Sequence, residues 1–494
     1  MTDSSISQDL SLQLDWSDYR DAGMGDAYAD IPKYGGHYAK AIAACINSRQ
    51  CEADGKQVMC PSYRISGDPN LATGGRVRLL KAALSTSQAQ SPLLDPELQQ
   101  AMDLCVSCKG CKRECESNVD MPLIKAEYLA QKYALQPRSW RSRLMAALPQ
   151  WQHQHPWMDA FIQLRNRSRL LRRIVDPLMG LNPAVNLPTR AGRSIKQPDS
   201  ANGSGVSGNL NGHKVALFID TFTRYYEPHI AAAAISVLEA SGYQVMLLQP
   251  ESGGRSEQDS RPYCCGRTWL AQGMIDQARA EARRLIQAIV PLVEQGYSIV
   301  GLEASCVLGL RDDAQALGLG KNAVTAAKNS FLFEEFLARE AKSGRLNLSL
   351  SSPASATLVH GHCHQKAVGA MKSVRRVLKL LPDHAFDFIE SSCCGMAGSF
   401  GLEAEHAQHS LAMAQQDLLP ALAARGDRQV IANGFSCRQQ IRHHSDAKPL
   451  HLAELIAGCL EDYPARSADQ SPNEGDVRER NIRKQEESPI ETSG

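Results

Sequence analysis

The sequence has no long apolar run and no excess of charge, and its first residues do not predict a secretory signal. No window of the 494 residues approaches the roughly 18 uncharged apolar residues that span a bilayer. The formal net charge of +1 gives no indication of nucleic-acid binding. The polar start, MTDSSISQDLSLQLDW, has no apolar core or cleavage site of a secretory signal. The protein is therefore expected in the cytoplasm, where its fifteen cysteines remain reduced. Any contact with a membrane is expected to be peripheral and at the inner face of that membrane.

Nucleotide-binding motifs are missing as well. The chain contains no G-x-G-x-x-G after a predicted strand, no P-loop and no recognisable flavin-binding stretch. Chemistry that needs a flavin or another nucleotide cofactor is therefore expected on a different chain.

Cysteines, in contrast, are numerous and grouped. Residues 105–115 follow the C-x2-C-x2-C-x3-C run of two-cluster ferredoxins, in which one loop wraps three thiolates around an iron–sulfur cluster. The fourth thiolate of such a run ligates a neighbouring cluster, so a second cysteine group must exist upstream. Assigning Cys60, which precedes a proline, to the first cluster predicts a [4Fe-4S] cluster on Cys60, Cys105, Cys108 and Cys111.

The second cluster has one ligand too few. Its predicted cysteines are Cys45, Cys51 and Cys115, because Ser48 stands where the run would place another cysteine. Three thiolates fit a [3Fe-4S] cluster. A [4Fe-4S] cluster with an additional ligand from Ser48, Asp54 or water is the alternative.

The second half of the chain contains two similar units. In each unit short β-rich runs alternate with helical patterns, which is typical of α/β folds. Both units carry a C-C-G motif followed by another cysteine, and these features recur 129 and 131 residues apart. The second unit has four candidate metal ligands, namely Cys363, Cys393, Cys394 and Cys437. The first has three weaker candidates for metal or redox chemistry, Cys264, Cys265 and Cys306, because strand ends align Phe222 with Cys363.

Other side chains near these motifs have less specific interpretations. His360, His362 and His364 alternate at a strand end and could ligate a metal or form ordinary hydrogen bonds, and Lys366 and Arg438 share this ambiguity. Four cysteines can also bind zinc, although structural zinc sites normally pair two C-x2-C knuckles. Cys459 is expected to be a core residue.

The predicted fold is multidomain, with α and α/β parts: an N-terminal α-helical ferredoxin-like domain and two tandem α/β cysteine-rich (CCG) domains. The stretch WMDAFIQLRNRSRLLRRIVDPLMG suits one helix face with its apolar residues. The stretch is interpreted as a connecting helix. Alternatively, its basic face contacts anionic lipid or an acidic partner; this face consists of Arg165, Arg167, Arg169, Arg172 and Arg173. The predicted parts are a polar lead (1–36), the ferredoxin domain (37–135), a basic helical connector (136–192), a flexible linker (193–212), a degenerate first CCG domain (213–350), a second CCG domain (351–462) and a disordered tail (463–494).

These motifs together resemble the cysteine-rich (CCG-domain) iron–sulfur oxidoreductase family. Three N-terminal segments are similar to the iron–sulfur part of FAD-linked D-2-hydroxyacid dehydrogenases and to glycolate oxidase iron–sulfur subunits. These segments are C-I-N-S-R-Q-C, M-C-P-S-Y-R and T-G-G-R-V-R-L-L. D-T-F-T-R-Y-Y-E-P, E-A-S-C-V-L and H-G-H-C-H-Q-K-A extend the resemblance over roughly residues 36–460.

The resemblance implies an iron–sulfur subunit that relays electrons from an FAD-binding dehydrogenase partner towards quinone or another acceptor. A third cluster in the second CCG unit is a further expectation. The alternatives are a thiol/disulfide oxidoreductase, similar to heterodisulfide reductases, that uses the second CCG unit, and a zinc-stabilised scaffold.

Overall fold

The computed structural model describes residues 11–22, 30–53, 58–86, 92–192, 195, 213–250 and 261–461. The predicted linker, apart from residue 195, and the predicted tail lie outside these residues, as does Asp54.

The N-terminal block is helical. Prolines in the first turn and capping aspartates start several of its helices: Asp95 accepts from Leu98 N at 3.0 Å, and Asp120 accepts from Leu123 N at 3.3 Å. Trp16, from the predicted polar lead, is buried in the block's core and donates to Glu127. The helices are α1 (Gly36–Ala43), α2 (Pro61–Ser66), α3 (Thr73–Ser85), α4 (Pro96–Asp103), α5 (Cys111–Glu114) and α6 (Met121–Leu135).

The connector is a series of short helices, so the single helix predicted across its basic stretch is wrong. Ser168 adopts an extended conformation (φ −101°, ψ 113°), and its hydroxyl accepts from Leu171 N at 3.2 Å and caps a new helix. Arg165 is also misplaced in the predicted basic face, because it is fully buried and paired with Asp176 at 2.8 Å. The helices are α7 (Trp140–Ala146), α8 (Leu148–Gln154), α9 (Met158–Arg167) and α10 (Arg169–Met179).

The first α/β unit is built on a parallel sheet with strand order β2-β1-β3-β4. The strands are β1 (Lys214–Phe218), β2 (Gln244–Leu248), β3 (Tyr297–Gly301) and β4 (Ser330–Leu332). The helices around them are α11 (Thr221–Tyr225), α12 (Pro228–Ala240), α13 (Arg267–Ala271), α14 (Ile275–Glu294), α15 (Ala304–Arg311), α16 (Asp313–Ala316), α17 (Gly320–Asn329) and α18 (Phe333–Lys342).

The second α/β unit repeats this topology. Its parallel sheet has the order β6-β5-β7, and a parallel bridge from Ile431 to Leu450 lies where β4 lies in the first unit. The strands are β5 (Thr357–His360), β6 (Phe386–Phe388) and β7 (Gln429–Ala432). The helices are α19 (Cys363–Val368), α20 (Met371–Leu378), α21 (Ala407–Gln416), α22 (Leu418–Ala423), α23 (Phe435–His444) and α24 (Leu452–Ala457). The molecule is therefore helix-rich, with two small parallel sheets.

The two units share one hydrophobic core. Val215 of β1, Val359 of β5 and Ile431 of β7 belong to the same buried cluster, which also contains Cys459 as the sequence predicted. A buried ion pair also joins the units: Glu227 lies at the start of α12 in the first unit, and Arg438 lies in α23 of the second. Among the described residues, none of the helices combines the length and apolar composition needed to cross a membrane.

Candidate metal centres

Four cysteines of the N-terminal block line one cavity: Cys60, Cys105, Cys108 and Cys111, here called the inner cysteine site. The loop that carries three of them turns through two left-handed residues, Ser107 (φ 51°) and Lys109 (φ 62°). Such a backbone is strained for residues other than glycine and persists where the surroundings fix it. The loop therefore wraps around the cavity, and its thiol donors suit an iron–sulfur cluster.

Hydrogen-bond donors and cations surround this inner site. Thr73 N donates to Cys60 Sγ at 3.1 Å, and Lys125 Nζ donates to Cys105 O at 2.7 Å. Arg76 is 2% exposed and lines the same cavity. Burial raises the pKa of Cys105, but Arg76 and Lys125 outweigh it, so the pKa is lowered. Sequence reasoning missed Arg76 and Lys125, which compensate for the charge of buried thiolates.

The remaining cysteines of the block, Cys45, Cys51 and Cys115, form the outer cysteine site. Burial raises the pKa of Cys45, and the neighbouring Cys115 and Cys51 thiols add to this effect. Cys51 also contacts Cys60 of the inner site, and hydrogen bonds from Cys60 and from Gly74 N lower its pKa. The two sites are thus adjacent.

The loop from Cys45 to Cys51 folds like the loop from Cys105 to Cys111. Asn47 (φ 58°) and Arg49 (φ 57°) are left-handed two and four residues after the first cysteine, as Ser107 and Lys109 are in the other loop. Ser48 consequently occupies the place of Cys108 and is exposed. The backbone of a cluster-binding loop is retained although its central thiol is absent.

The second thiol site contains four cysteines in contact. Hydrogen bonds link them in a chain that runs through Cys363, Cys393, Cys394 and Cys437. The bond with Cys393, together with burial, raises the pKa of the Cys363 thiol well above its usual range. The pKa values of Cys393 and Cys394 are raised as well. Thiols packed this closely ionise together only if a cation balances their charge, which suits a metal centre and opposes thiolate attack on a disulfide.

His360 and Lys366 extend this second site. His360 Nδ1 bonds to Ser391 Oγ at 3.1 Å, whereas its buried Nε2 has no hydrogen-bond partner among the described residues. His360 belongs to a group with Cys394 and Cys437 in which one ligand atom of each residue lies within 4.8 Å of the others. Lys366 Nζ donates to Ser391 O at 2.6 Å and so holds the segment that leads into the cysteine pair. His364 Nε2 bonds to Ser107 O of the N-terminal block, and His362 caps α19.

The first thiol site brings its three cysteines, Cys264, Cys265 and Cys306, into contact. The Cys265 hydrogen bond lowers the pKa of Cys306, but burial and two nearby carboxylates raise it to about 11. The sheet registers pair Phe218 with Gly301 and His360 with Ala432. Phe218 and His360 are therefore equivalent positions in the two units, and three residues later Thr221 is equivalent to Cys363. The sequence alignment assigns this position to Phe222, one residue further on.

The two C-C-G motifs have the same local geometry. Gly266 N lies 3.5 Å from Cys264 Sγ, and Gly395 N lies 3.4 Å from Cys393 Sγ. Both glycines are left-handed, with φ of 80° and 89°. A Cβ at either position would meet a carbonyl oxygen of the following long helix, at 2.6 Å and 2.2 Å. Glycine is required here because the thiols are held by a backbone that packs directly against another helix.

The second thiol site lies beside the inner cysteine site. His364 Nε2 is 3.0 Å from Ser107 O, and Ser392 Oγ donates to Val58 O at 2.8 Å. Cys108 and Cys363 are close enough that each thiolate would raise the other's energy. Arg267, which directly follows the first C-C-G, bonds to His364 and pairs with Asp313. Sequence reasoning did not single out Arg267, although its place after the motif was visible.

Comparison with known proteins identifies one region of the chain by a family model and finds several relatives that match half of the chain or more. Residues 41–119 match the family model described as a 4Fe-4S dicluster domain. The D-2-hydroxyglutarate dehydrogenase of Escherichia coli (strain K12) is 22% identical over 371 residues, covering 73% of this chain and 34% of that protein. The chain therefore spans about a third of the length of this relative.

Two shorter relatives also match. One of them, a subunit of the anaerobic glycerol-3-phosphate dehydrogenase of Escherichia coli (strain K12), is 26% identical over 249 residues, covering 50% of this chain and 59% of that protein. The glycolate oxidase iron-sulfur subunit of the same organism is 23% identical over 440 residues, covering 85% and 94%. The N-terminal block is thus a 4Fe-4S dicluster domain, and the resemblance of the chain to the cysteine-rich iron–sulfur oxidoreductase family is confirmed.

Proposed function

We propose that this chain is the iron–sulfur electron-transfer component of an FAD-linked 2-hydroxyacid dehydrogenase. It would receive electrons from an FAD-binding partner chain and pass them towards quinone or another acceptor. The observation that carries the proposal is the inner cysteine site, where four thiols converge on one cavity within a dicluster domain. When bound, iron–sulfur clusters would supply one-electron transfer there.

The contacts between the cysteines support two proposed ligand sets in the dicluster domain. Cys60, Cys105, Cys108 and Cys111 would hold a [4Fe-4S] cluster, with Arg76 and Lys125 balancing the buried thiolates. Cys45, Cys51 and Cys115 would hold a [3Fe-4S] cluster, or a [4Fe-4S] cluster in which Ser48, Asp54 or water completes the ligand set. The exposed Ser48 loop would place this outer cluster nearer the surface.

A third cluster is proposed at the second thiol site. Neighbouring thiols and burial raise the pKa values of Cys363, Cys393 and Cys394, and His360 lies beside Cys394 and Cys437, so a metal centre would relieve the mutual repulsion of the thiolates. The adjacency of Cys108 and Cys363 supports a path from the dicluster domain into this site. The two α/β units are proposed to be tandem CCG domains, of which the first is degenerate because Thr221 replaces a cysteine.

Iron and acid-labile sulfide counting on anaerobically purified protein, with electron paramagnetic resonance before and after dithionite reduction, tests these assignments. About seven irons with a signal in the oxidised protein would support a three-iron and a four-iron cluster, and about eight would support two cubanes. About four further irons, lost in Cys394→Ser, would place the third cluster at the second thiol site. Cys459→Ser is the matched control, because it changes a buried cysteine outside every site.

Two other results would favour the alternative functions. Zinc without iron or sulfide would overturn the electron-transfer proposal in favour of a zinc-stabilised scaffold. Disulfide turnover that Cys393→Ser abolishes would favour the thiol/disulfide alternative, against which the raised thiol pKa values argue.

A further inference from the structure

The hairpin of α9 and α10 buries charged side chains and exposes large apolar ones, unlike an ordinary pair of surface helices. Its fully buried residues are the ion pair Arg165 and Asp176, at 0% and 1% exposure, whereas several of its large apolar side chains are exposed and the others are only half-buried. Surface helices normally bury their apolar stripe, and a contiguous exposed stripe marks an interaction surface. The apolar face consists of Trp157 (68% exposed), Phe161 (47%), Leu164 (55%), Leu170 (67%), Ile174 (58%) and Leu178 (77%).

Positive charge accompanies this apolar face. Residues 136–192 contain nine arginines and two acidic residues, in a chain whose net charge is only +1. Asp176 is neutralised by Arg165, and Asp159 accepts from Arg190 N at 2.6 Å. Arg167, Arg169 and Arg173 are exposed on the hairpin. The surface therefore suits an anionic partner.

Tryptophan is concentrated in the same region. The chain has five tryptophans, and the three that are exposed are Trp140 (55%), Trp151 (37%) and Trp157 (68%). Indole rings favour the boundary between hydrocarbon and water. Exposed apolar side chains flanked by arginine and tryptophan are the composition of a helix that lies in a membrane interface.

We infer that the α9–α10 hairpin binds an anionic lipid surface, with its apolar face in the boundary between headgroups and acyl chains. Leu170, Ile174 and Leu178 are four residues apart, so they form one line along α10 that can lie parallel to the membrane. A second copy of the chain fits less well, because it would bring these arginines together with no exposed acidic residue on either hairpin. The inference depends on the hairpin alone and not on the chemistry of the cysteine sites.

Sedimentation of the intact protein with lipid vesicles tests this inference. Binding is expected to vesicles of equimolar phosphatidylcholine and phosphatidylglycerol, about tenfold above binding to phosphatidylcholine alone, and to weaken with added salt. Ile174→Glu with Leu178→Glu is expected to reduce binding at least about tenfold. Arg167→Gln with Arg173→Gln is expected to remove the preference for anionic vesicles.

Controls separate this effect from misfolding. Val324→Glu and Val368→Glu change exposed apolar residues elsewhere (38% and 42% exposed) and are expected to bind like the unaltered protein. Circular dichroism and the denaturant midpoint of each variant report whether it folds. Undiminished binding of the Ile174→Glu and Leu178→Glu variant would overturn the inference. Self-association of the unaltered protein that this variant abolishes, without vesicle binding, would also overturn it and assign the hairpin to a second copy.

Discussion

Lys109 fixes the loop of the inner cysteine site from within. It is left-handed and 2% exposed, and its ammonium contacts Asp312 and Asp313 of the first α/β unit. Removing one partner of a buried ion pair leaves uncompensated charge, at a cost of about 3–5 kcal/mol. We therefore expect Lys109→Met to lower the free energy of unfolding by about 3 kcal/mol in anaerobic denaturant titrations.

Lys81→Met is the matched control for this substitution. Lys81 pairs with Asp30 at 3.3 Å, and the Asp30 side chain is 80% exposed. Loss of such a surface pair is expected to change stability by less than about 1 kcal/mol. Equal effects of the two substitutions would contradict a special role for Lys109.

His406 makes stability depend on pH. Burial lowers its pKa, but hydrogen bonds with Asp103 and Glu403 outweigh burial and raise the pKa from 6.5 to about 9. Because the folded protein holds the proton more tightly, the stabilisation is complete below pH 6.5 and is lost as the pH rises through about 9. The denaturant midpoint should fall over this range in the natural chain and fall less in His406→Gln. His384→Gln is the control, since burial lowers the pKa of His384 and the ring stays neutral in this range.

At the scale of single residues, sequence motifs could predict the cysteines but not their surroundings. The ferredoxin motif requires an upstream ligand and so predicts Cys60 beside Cys105, Cys108 and Cys111, and Cys60 lines the same cavity as these three. Arg76, Lys125 and the free nitrogen of His360 reach the sites only through tertiary packing. The alignment of Phe222 with Cys363 failed by one residue, because hydrophobic patterns do not locate strand ends that finely.

Among the helices, α15 and α23 share one cap. Glu303 precedes α15 and accepts from Ser305 N at 3.3 Å, and its other oxygen accepts from Phe435 N at 2.8 Å, in the first turn of α23. Gly434 stands at the equivalent place before α23 and has no side chain to cap it. One carboxylate therefore caps two helices that follow equivalent strands and ties the units together.

Loss of this shared cap should destabilise the chain measurably. Glu303→Ala is expected to lower the free energy of unfolding by about 2 kcal/mol, since each lost cap contributes about 1 kcal/mol. Glu303→Gln retains acceptor oxygen and should recover most of the loss, as measured by denaturant unfolding. Identical stability of the two variants would show that the caps contribute little.

The order of elements was predictable, but several of their limits were not. The alternation of strands and helices correctly predicted α/β units. The apolar pattern of residues 270–294 predicts one helix, but α14 begins at Ile275, because Gly273 is left-handed (φ 68°) and separates α13 from α14. The strand β3 was not singled out. This strand has five residues, of which only Ile299 and Val300 are aliphatic, and it ends in Gly301. Such a short apolar run does not predict a strand.

At the scale of the whole molecule, the dicluster domain is joined to both α/β units. Lys109 pairs with Asp313 of the first unit, while His364 and Ser392 of the second contact the loops of the inner cysteine site. The connector also bonds to the second unit, since Asn182 N donates to Leu402 O at 2.8 Å. The cysteine sites are therefore held in one body by contacts far apart in sequence, which no local pattern could reveal.

This packing predicts that the chain remains assembled after it is cut. A protease site inserted between residues 200 and 206, within the sequence-predicted linker, should yield two pieces that still elute together in anaerobic size-exclusion chromatography. The contacts of Lys109 and of His406, which bonds to Asp103 across the same boundary, join the pieces without the linker. The double variant Lys109→Met with His406→Gln should weaken the association. Its pieces should therefore separate at a higher protein concentration than those of the unaltered sequence. Separation of the pieces of the unaltered sequence would contradict a single body and would indicate that these contacts depend on the covalent link.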